Sequence, residues 1–251
     1  MSKLSESNEV SSIKCNKLKM NKLIWSMIFL IVFWGILSEI RIRLNLDETI
    51  FMSIFDKIWR EVFCGILQRV IWIIPVIWLI KRYESDIKIN LKNMFFNRIN
   101  FKLFFTFFGF FTLYPLVSMF IMHGGFHVNK INFTAELFRY AMVGFVEELA
   151  YRGWALNAFS KFMSEKKANL ISAIFFLLLH YSHYIRHWIT TGTLNMNGTN
   201  NIFALNGFLS ASIMIYVFGL LFGYIFRKNK SITSPMFIHS YYDFIYTIFV
   251  R

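Results

Sequence analysis

Residues that bend helices, or that form covalent or metal cross-links through sulfur, are scarce in this sequence. Its 251 residues include only three prolines and two cysteines. Cys15 and Cys64 are too few for a disulfide framework and form no thiolate metal motif. The His-Glu-x-x-His zinc signature is absent as well. The sequence therefore gives no sign of a disulfide-stabilised domain or of a cysteine-ligated metal site.

Acidic residues are also few, with 14 Asp and Glu against 27 Lys and Arg and a formal net charge of +13. Such an excess could indicate a nucleic-acid partner, but most basic residues lie in short clusters between apolar runs. Hydrophobic residues make up 56% of the chain, aromatic residues 20%, and the mean hydropathy is +0.48. This composition is too apolar for a soluble globule. It predicts a polytopic protein in contact with the lipid bilayer and with no nucleic-acid partner.

The apolar runs predict an all-α fold, a membrane bundle of about seven transmembrane helices. About 20 apolar residues are needed to cross the hydrocarbon layer as a helix. The predicted spans are 23–40, 62–80, 101–122, 136–157, 168–187, 207–226 and 233–250. We assign residues 1–22 to a flexible, basic cytoplasmic tail, 23–135 to N-terminal transmembrane helices, and 136–251 to the helices that carry the polar motifs. No soluble second domain fits between the spans, so residues 23–251 are predicted to form a single membrane domain.

Loop charges predict how the chain is oriented in the membrane. Sixteen of the Lys and Arg residues outside the spans lie on one predicted side and seven on the other. Four more lie within predicted spans and do not enter this count: Arg69, Lys102, Arg139 and Arg152. By the positive-inside rule, the N-terminus is predicted to be cytoplasmic and the C-terminus outside a cell membrane that the chain crosses several times.

Three ionisable residues lie together in the fourth predicted span, which is otherwise apolar. Glu147, Glu148 and Arg152 occur in the run Gly-Phe-Val-Glu-Glu-Leu-Ala-Tyr-Arg-Gly. Charges within hydrocarbon are costly, so they indicate a functional site. In a helix Glu148 and Arg152 share a face as an i, i+4 pair, whereas Glu147 points elsewhere and is a candidate general base for water. The alternative is a buried ion-pair network that only holds helices together.

Two later spans supply histidines and an aspartate at a comparable depth. His180 lies in the fifth span, and His239 and Asp243 form an i, i+4 pair in the seventh. At 1.5 Å per residue, Glu147 is about 15 Å, His180 about 18 Å, and His239 with Asp243 about 9 to 15 Å from the predicted cytoplasmic ends of their spans. This agreement predicts one shared site, which could hold a water, a metal or a developing oxyanion.

Other polar features are weaker candidates. His183 and His187 share a helical stripe with His180, which could indicate a metal site, but their position at the outer end of the span favours an interfacial pair. His123 and His127 flank two glycines in a short loop and receive no role. Residues 190–201 are rich in glycine and asparagine and are predicted to form an external loop.

The ordered motifs resemble those of a known membrane family. Glu-Glu-x-x-x-Arg, then Phe-x-x-x-His, then His-x-x-x-Asn/Asp is the pattern of the CAAX protease and bacteriocin-processing (CPBP) family of intramembrane endopeptidases. The matching residues are Glu147, Glu148, Arg152, Phe176, His180, His239 and Asp243. The resemblance covers about residues 136–250, and a proline four residues before the last histidine agrees with it.

The resemblance implies hydrolysis of a peptide bond within or beside the membrane. Glu147 and His180 would activate the attacking water, His239 with Asp243 would stabilise the oxyanion or bind water, and Glu148 and Arg152 would support them. Prenyl-protein proteases of eukaryotes carry Asn where this chain has Asp243. A carboxylate suits a metal better than an oxyanion, so a divalent ion such as zinc stays possible, with Glu147, His180, His239 and Asp243 as its ligands.

Three function classes follow from these observations. The leading one is an endopeptidase that cuts a peptide or membrane-protein substrate, in bacterial peptide processing or bacteriocin self-immunity; cleavage of prenylated CAAX proteins is a less favoured substrate assignment. The second is an immunity or scaffold protein that binds without cutting. The third is a transporter, which the lack of repeated halves and paired broken helices disfavours.

Overall fold

A computed structural model describes the backbone of residues 2–49, 56–191 and 202–250, and their side chains except those at 2–18, 122, 183–184, 186–191 and 202–207. These residues form helices and turns and no strand, which confirms the all-α prediction. The helices are α1 Ser2–Arg43, α2 Leu46–Thr49, α3 Lys57–Arg82, α4 Leu91–Phe96, α5 Phe101–His123, α6 Phe133–Glu148, α7 Asn157–Phe162, α8 Glu165–Thr191, α9 Ile202–Asn229 and α10 Thr233–Phe249. The predicted external loop at 190–201 lies almost wholly outside the described residues.

Four helices are long and apolar enough to cross a membrane: Lys19–Arg43, Lys57–Arg82, Phe101–Ile121 and Phe208–Asn229. They correspond to the first, second, third and sixth predicted spans. The other three predicted spans are also helical, but their polar residues lower their hydropathy and α10 has only 17 residues. The chain is thus a membrane protein, whereas the predicted count of seven spans is not confirmed.

The N-terminal segment differs from the predicted flexible tail. Helix α1 begins at Ser2 and continues without a break into the first apolar run. The sequence contains no proline or glycine before Gly35, so nothing in it stops helix propagation.

Asparagine and aspartate side chains fix where several helices begin. Asp56 accepts a hydrogen bond from the Trp59 amide, and Asn90, Asn100 and Asn132 do the same for α4, α5 and α6. Each of these caps satisfies one amide that has no partner within its helix. Helix α5 ends at Gly124, whose φ of 67° is the left-handed conformation that glycine adopts without strain.

The chain between α6 and α7 is a π-helix, Leu149–Leu156, in place of the α-helix that the sequence predicted there. Its hydrogen bonding includes the Asn157 amide donating to the Arg152 carbonyl, five residues earlier. All eight π-helical residues are buried, so packing from every side, and not local propensity, selects this wider turn. Such segments occur frequently at functional sites.

Helices α3, α8, α9 and α10 surround the segment formed by α6, the π-helix and α7. Two buried tryptophans lie beside this segment, and the indole N–H group of each donates a hydrogen bond. Trp72 donates to the Leu30 carbonyl at 2.8 Å and Trp154 to the Ser26 hydroxyl at 3.1 Å. A second, aromatic core lies between α5, α9 and α10 and is formed by Phe111, Phe218, Phe222, Ile225 and Ile238. This aromatic core packs α10 against α5 and α9.

Candidate functional site

The site lies where α6 crosses α10. Gly144 makes this crossing possible, because a Cβ atom there would lie 2.3 Å from the Ser240 hydroxyl oxygen and 2.8 Å from the Met236 carbonyl oxygen. One helical turn after Gly144 come Glu147 and Glu148, and His239 directly precedes Ser240. The close crossing therefore sets the two glutamates of α6 against the histidine of α10.

Glu148 is the centre of a fully buried charged cluster. Its Oε1 atom accepts hydrogen bonds from Arg152 Nη1 at 2.7 Å and from His239 Nδ1 at 2.8 Å, and the Glu148 and Arg152 side chains are 0% and 1% exposed. The pairing of Glu148 with Arg152 is the one that helical spacing predicted. Because a carboxylate oxygen accepts, the proton of this bond lies on His239 Nδ1.

Arg152 has further partners that hold it in place. Its Nη2 atom donates to the Gly219 carbonyl at 2.9 Å, and its guanidinium lies 4.6 Å from the Phe176 ring centroid and 5.4 Å from that of Phe222. Faces of aromatic rings attract cations in the absence of water. Arg152 is thus held by three helices and is not available to bind a substrate.

Glu147 occupies a different position from its neighbour. Its side chain is 12% exposed, and its Oε2 atom is buried with no hydrogen-bond partner among the described residues. The same atom lies 4.0 Å from His239 Nε2, while Asp243 Oδ2 lies 3.5 Å from that nitrogen. The imidazole of His239 therefore presents its free nitrogen between two carboxylates, with Glu148 holding the other side of the ring.

His180 joins the site less directly. Its Nδ1 atom lies 2.9 Å from the Phe176 carbonyl oxygen, which can only accept, so this nitrogen carries a proton. The Phe176 ring packs edge-on against both His180 and His239, with centroid distances of 4.8 and 5.9 Å. Among the described residues no hydrogen bond or ion pair joins His180 to Glu147 or Asp243. The structure thus brings Glu147, Glu148, Arg152, His239 and Asp243 into direct contact and sets His180 beside them.

The donor set is a poor match to a metal centre. The described residues contain no group of three or more His, Cys, Asp or Glu side chains placed to hold an ion. We therefore derive no step through a metal. The side chains of His183 and His187, the other residues of the histidine stripe, lie outside the described part of the chain. His123, the last residue of α5, and His127, in the loop that follows, stack on one another with a centroid distance of 4.3 Å and have no contact with the site residues among those described.

Sequence reasoning missed several contributors to the site. Phe222 stacks on His239 with a centroid distance of 4.7 Å, and Gly219 offers its carbonyl to Arg152. The spacing Gly219-x-x-x-Gly223 was an available signal, since small residues four apart allow membrane helices to approach closely. At Gly223 a Cβ atom would overlap the Asn169 side chain, which shows how near α8 comes. Arg69 of α3 was also visible as an intramembrane charge.

Comparison with protein families agrees with the motifs. Residues 131–245 match the family model described as type II CAAX prenyl endopeptidase Rce1-like. This range includes all of the motif residues from Glu147 to Asp243 and confirms the family resemblance that the sequence indicated. No curated protein and no solved structure matches the chain.

Proposed function

Because residues 131–245 match the type II CAAX prenyl endopeptidase Rce1-like family model, we propose that this chain hydrolyses a peptide bond with a water molecule activated by Glu147. The substrate is a peptide or a membrane protein that reaches the site from the bilayer. Support comes from the placement of a carboxylate with no partner next to a histidine whose orientation is fixed. The family match supports the reaction class, and the geometry of the site supports the roles proposed for individual residues.

Glu147 is the general base of the proposed reaction. Its unpartnered Oε2 atom accepts a hydrogen bond from water and then the proton. The water oxygen bonds to the carbonyl carbon of the substrate, and the carbonyl π electrons move onto the carbonyl oxygen. When the tetrahedral intermediate collapses, the carbon–nitrogen bond breaks and Glu147 returns its proton to the leaving amine. The products are a carboxylic acid and an amine, and the enzyme is regenerated.

The two histidines orient the water and the substrate. His239 presents Nε2 at 4.0 Å from Glu147 Oε2 and at 3.5 Å from Asp243 Oδ2, close enough for one water to contact all three side chains. His180 keeps Nε2 free, because its Nδ1 proton is donated to the Phe176 carbonyl, so Nε2 of the neutral ring accepts a hydrogen bond from water. Glu148 and Arg152 support the reaction by fixing the His239 ring, and they do not contact the substrate.

One observation carries the division of roles between the adjacent glutamates. The Oε2 atoms of both glutamates lack a hydrogen-bond partner among the described residues. Glu148 is 0% exposed and its Oε1 atom accepts hydrogen bonds from Arg152 and His239, whereas Glu147 is 12% exposed. A base must have a free lone pair directed at its water, and Oε1 of Glu148 is already committed. This difference supports Glu147 as the base.

The test compares two variants of the full chain with the wild type in lipid nanodiscs. Glu147→Gln is expected to lower kcat by about 10² to 10⁴-fold, the range for loss of a general base. Glu136→Gln is the matched control, since Glu136 lies on the same helix but pairs with Arg139 at 3.5 Å. The probe is a fluorophore–quencher peptide library with free carboxyl termini. Wild-type turnover in the Glu147→Gln protein would refute the proposed role.

The biological role is proposed to be bacterial peptide processing or bacteriocin self-immunity. Asp243 in place of asparagine supports a bacterial member over a eukaryotic prenyl-protein protease. The alternative is an immunity or scaffold protein that protects by binding alone. Cells expressing wild type or Glu147→Gln at equal membrane levels separate the two, because protection that survives the substitution would assign the effect to binding.

A groove between α6 and α10 favours a second substrate class, prenylated proteins. It has a volume of about 460 Å³ and is lined almost entirely by apolar groups: Phe95, Leu137, Ala141, Phe145, Met236, Phe237, Tyr241 and Phe244, with Thr233 and Ser240. This volume lies in the range of small-ligand pockets, and an isoprenoid chain would bury its carbon atoms there. Equal kcat/KM for matched peptides with and without a farnesyl group on cysteine would eliminate this candidate.

A further inference from the structure

Nε2–H of a protonated His239 ring is one donor for the oxyanion of the proposed reaction, and a second donor is missing. In the intermediate the former carbonyl oxygen bears a negative charge, and preorganised N–H groups or cations normally stabilise it. The groups around His239 Nε2 are Glu147 and Asp243, and an ionised carboxylate has no proton to donate. The negative charge of both carboxylates would also repel an oxyanion. A cation from another part of the fold is therefore needed.

Arg69 on α3 is placed to supply it. Its Nη1 atom donates to the Gly65 carbonyl at 3.1 Å, and its guanidinium lies 5.6 Å from the Trp34 ring centroid. Its Nε atom is buried and has no hydrogen-bond partner among the described residues. Arg69 and Glu147 line the same narrow cleft, together with Trp34, Trp72, Val146 and Leu179. The charge of Arg69 also acts on both Glu147 and Asp243.

Three arginines near Arg69 or the site have carboxylate partners, which Arg69 lacks among the described residues. Arg41 meets Asp47 at 2.7 Å, Arg139 meets Glu136 at 3.5 Å, and Arg152 meets Glu148 at 2.7 Å. In the described part of the chain no carboxylate oxygen lies within 4.0 Å of the Arg69 guanidinium. An intramembrane charge without a direct partner is costly to keep and points to a use in function.

We propose that Arg69 is a further catalytic residue, which donates a hydrogen bond to the oxyanion of the tetrahedral intermediate. This inference rests on the proposed function. It adds a residue from outside the family-matched range 131–245, contributed by the N-terminal helices. The electron pair that leaves the carbonyl bond collects on oxygen beside the guanidinium, and returns to carbon when the carbon–nitrogen bond breaks. Arg69 keeps its proton throughout.

The simplest test removes the donor and measures turnover of the same peptide library in nanodiscs. Arg69→Gln is expected to lower kcat about 100-fold with KM changed less than threefold, as for loss of an oxyanion donor. Arg69→Lys keeps a cation and should recover at least a tenth of wild-type kcat. The matched control is Arg60→Gln, because Arg60 lies on the same helix, also has an unpartnered Nε atom, and pairs with Glu48 at 3.6 Å. A kcat for Arg69→Gln within threefold of the wild-type value overturns the proposal.

A pair of double variants distinguishes donation from simple charge balance. In the Arg69→Gln background, Asp243→Asn restores the net charge and supplies an amide donor, whereas Asp243→Leu restores the net charge without a donor. The asparagine variant is expected to have a kcat at least tenfold above that of the leucine variant. Equal rescue by both would assign Arg69 to charge balance and overturn the donor role. These double variants remain informative if Arg69→Gln alone folds poorly, since both relieve the excess negative charge.

The two proposals fail in different ways. If the Glu147→Gln protein turns over substrate as fast as wild type, the water-activation mechanism is refuted. The proposed role of Arg69 is then refuted with it, because it depends on the same intermediate. If Glu147→Gln is inactive while Arg69→Gln is fully active, only the assignment of Arg69 fails.

Discussion

Two carboxylates in this protein each accept hydrogen bonds from two nitrogen donors, but in opposite surroundings. Glu148 with Arg152 and His239 forms the buried cluster, in which no side chain is more than 6% exposed. Glu165 with Lys88 and Lys230 forms the surface cluster, whose side chains are 29%, 45% and 40% exposed. The buried cluster connects two chain segments and the surface cluster three. Their main difference is access to water.

Access to water determines how much each cluster contributes to the stability of the fold. Water solvates the surface cluster in the folded and unfolded states alike, so the ion pairs add little to stability. In the buried cluster each charge depends on its partners, because none of them can be solvated once one is removed. We therefore expect the buried cluster to be fragile and to fix geometry, and the surface cluster to tolerate substitution.

The largest expected effect follows removal of the buried carboxylate. Glu148→Ala leaves Arg152 without its acid partner and His239 without the acceptor for Nδ1. The free energy of unfolding should fall by about 3 to 5 kcal/mol, with a matching loss of folded yield. Titration with SDS in mixed micelles measures it, and Glu147→Gln, which removes a carboxylate oxygen with no partner, should change stability by less than about 1 kcal/mol. A stable Glu148→Ala protein would show that the cluster does not hold the fold.

A smaller effect is expected when both charges of the buried pair are removed together. Glu148→Leu with Arg152→Leu leaves no uncompensated charge in the core, although His239 still lacks its acceptor. The double variant should be more stable than Glu148→Leu alone by about 1 to 3 kcal/mol, since apolar replacements of buried pairs are often neutral. The same SDS titration measures this coupling. Additive losses in the two single variants would mean that the charges act independently.

The sequence predicts one half of the buried cluster and not the other. The spacing of Glu148 and Arg152 is sufficient to predict their contact, because positions four apart lie on one helical face. The spacing of His239 and Asp243 likewise brings their side chains within 3.5 Å. The bond from His239 to Glu148 joins residues 91 apart, and only the close crossing at Gly144 creates it. Residue spacing within one helix does not predict where two helices cross.

The same limit explains the features of the fold that the sequence did not reveal. Hydropathy predicts helices wherever the apolar runs are long, but the polar site residues make three of the predicted spans ambiguous. The π-helix at Leu149–Leu156 has ordinary helix-forming residues, and burial on all sides selects it. Arg69 lies 78 residues before Glu147 in the sequence, and packing of α3 against α6 brings it to the site. Each of these features depends on tertiary packing.

The smallest expected effect is the loss of the surface carboxylate. Glu165 accepts a hydrogen bond from Lys88 Nζ at 2.6 Å and another from Lys230. Glu165→Gln should lower the free energy of unfolding by no more than about 1 kcal/mol at pH 7, because water competes for the exposed lysines. The loss should shrink further in 1 M salt, which reduces the screening length to about 3 Å. A loss as large as that of Glu148→Ala would contradict the distinction between the clusters.

The pKa shift of Glu165 determines how its contribution to the free energy of unfolding changes with pH. Burial alone would raise the pKa of Glu165, but the hydrogen bonds and charges of Lys230 and Lys88 outweigh it and lower the pKa from 4.5 to about 2. A carboxyl with a lowered folded-state pKa contributes its full stability above the unfolded value. Between pH 4.5 and about 2 the unfolded chain binds the proton first, so the contribution disappears. The stability difference between wild type and Glu165→Gln should therefore be constant above pH 5 and approach zero near pH 2. A difference that grows on acidification would show that Glu165 acts through something other than its two lysines.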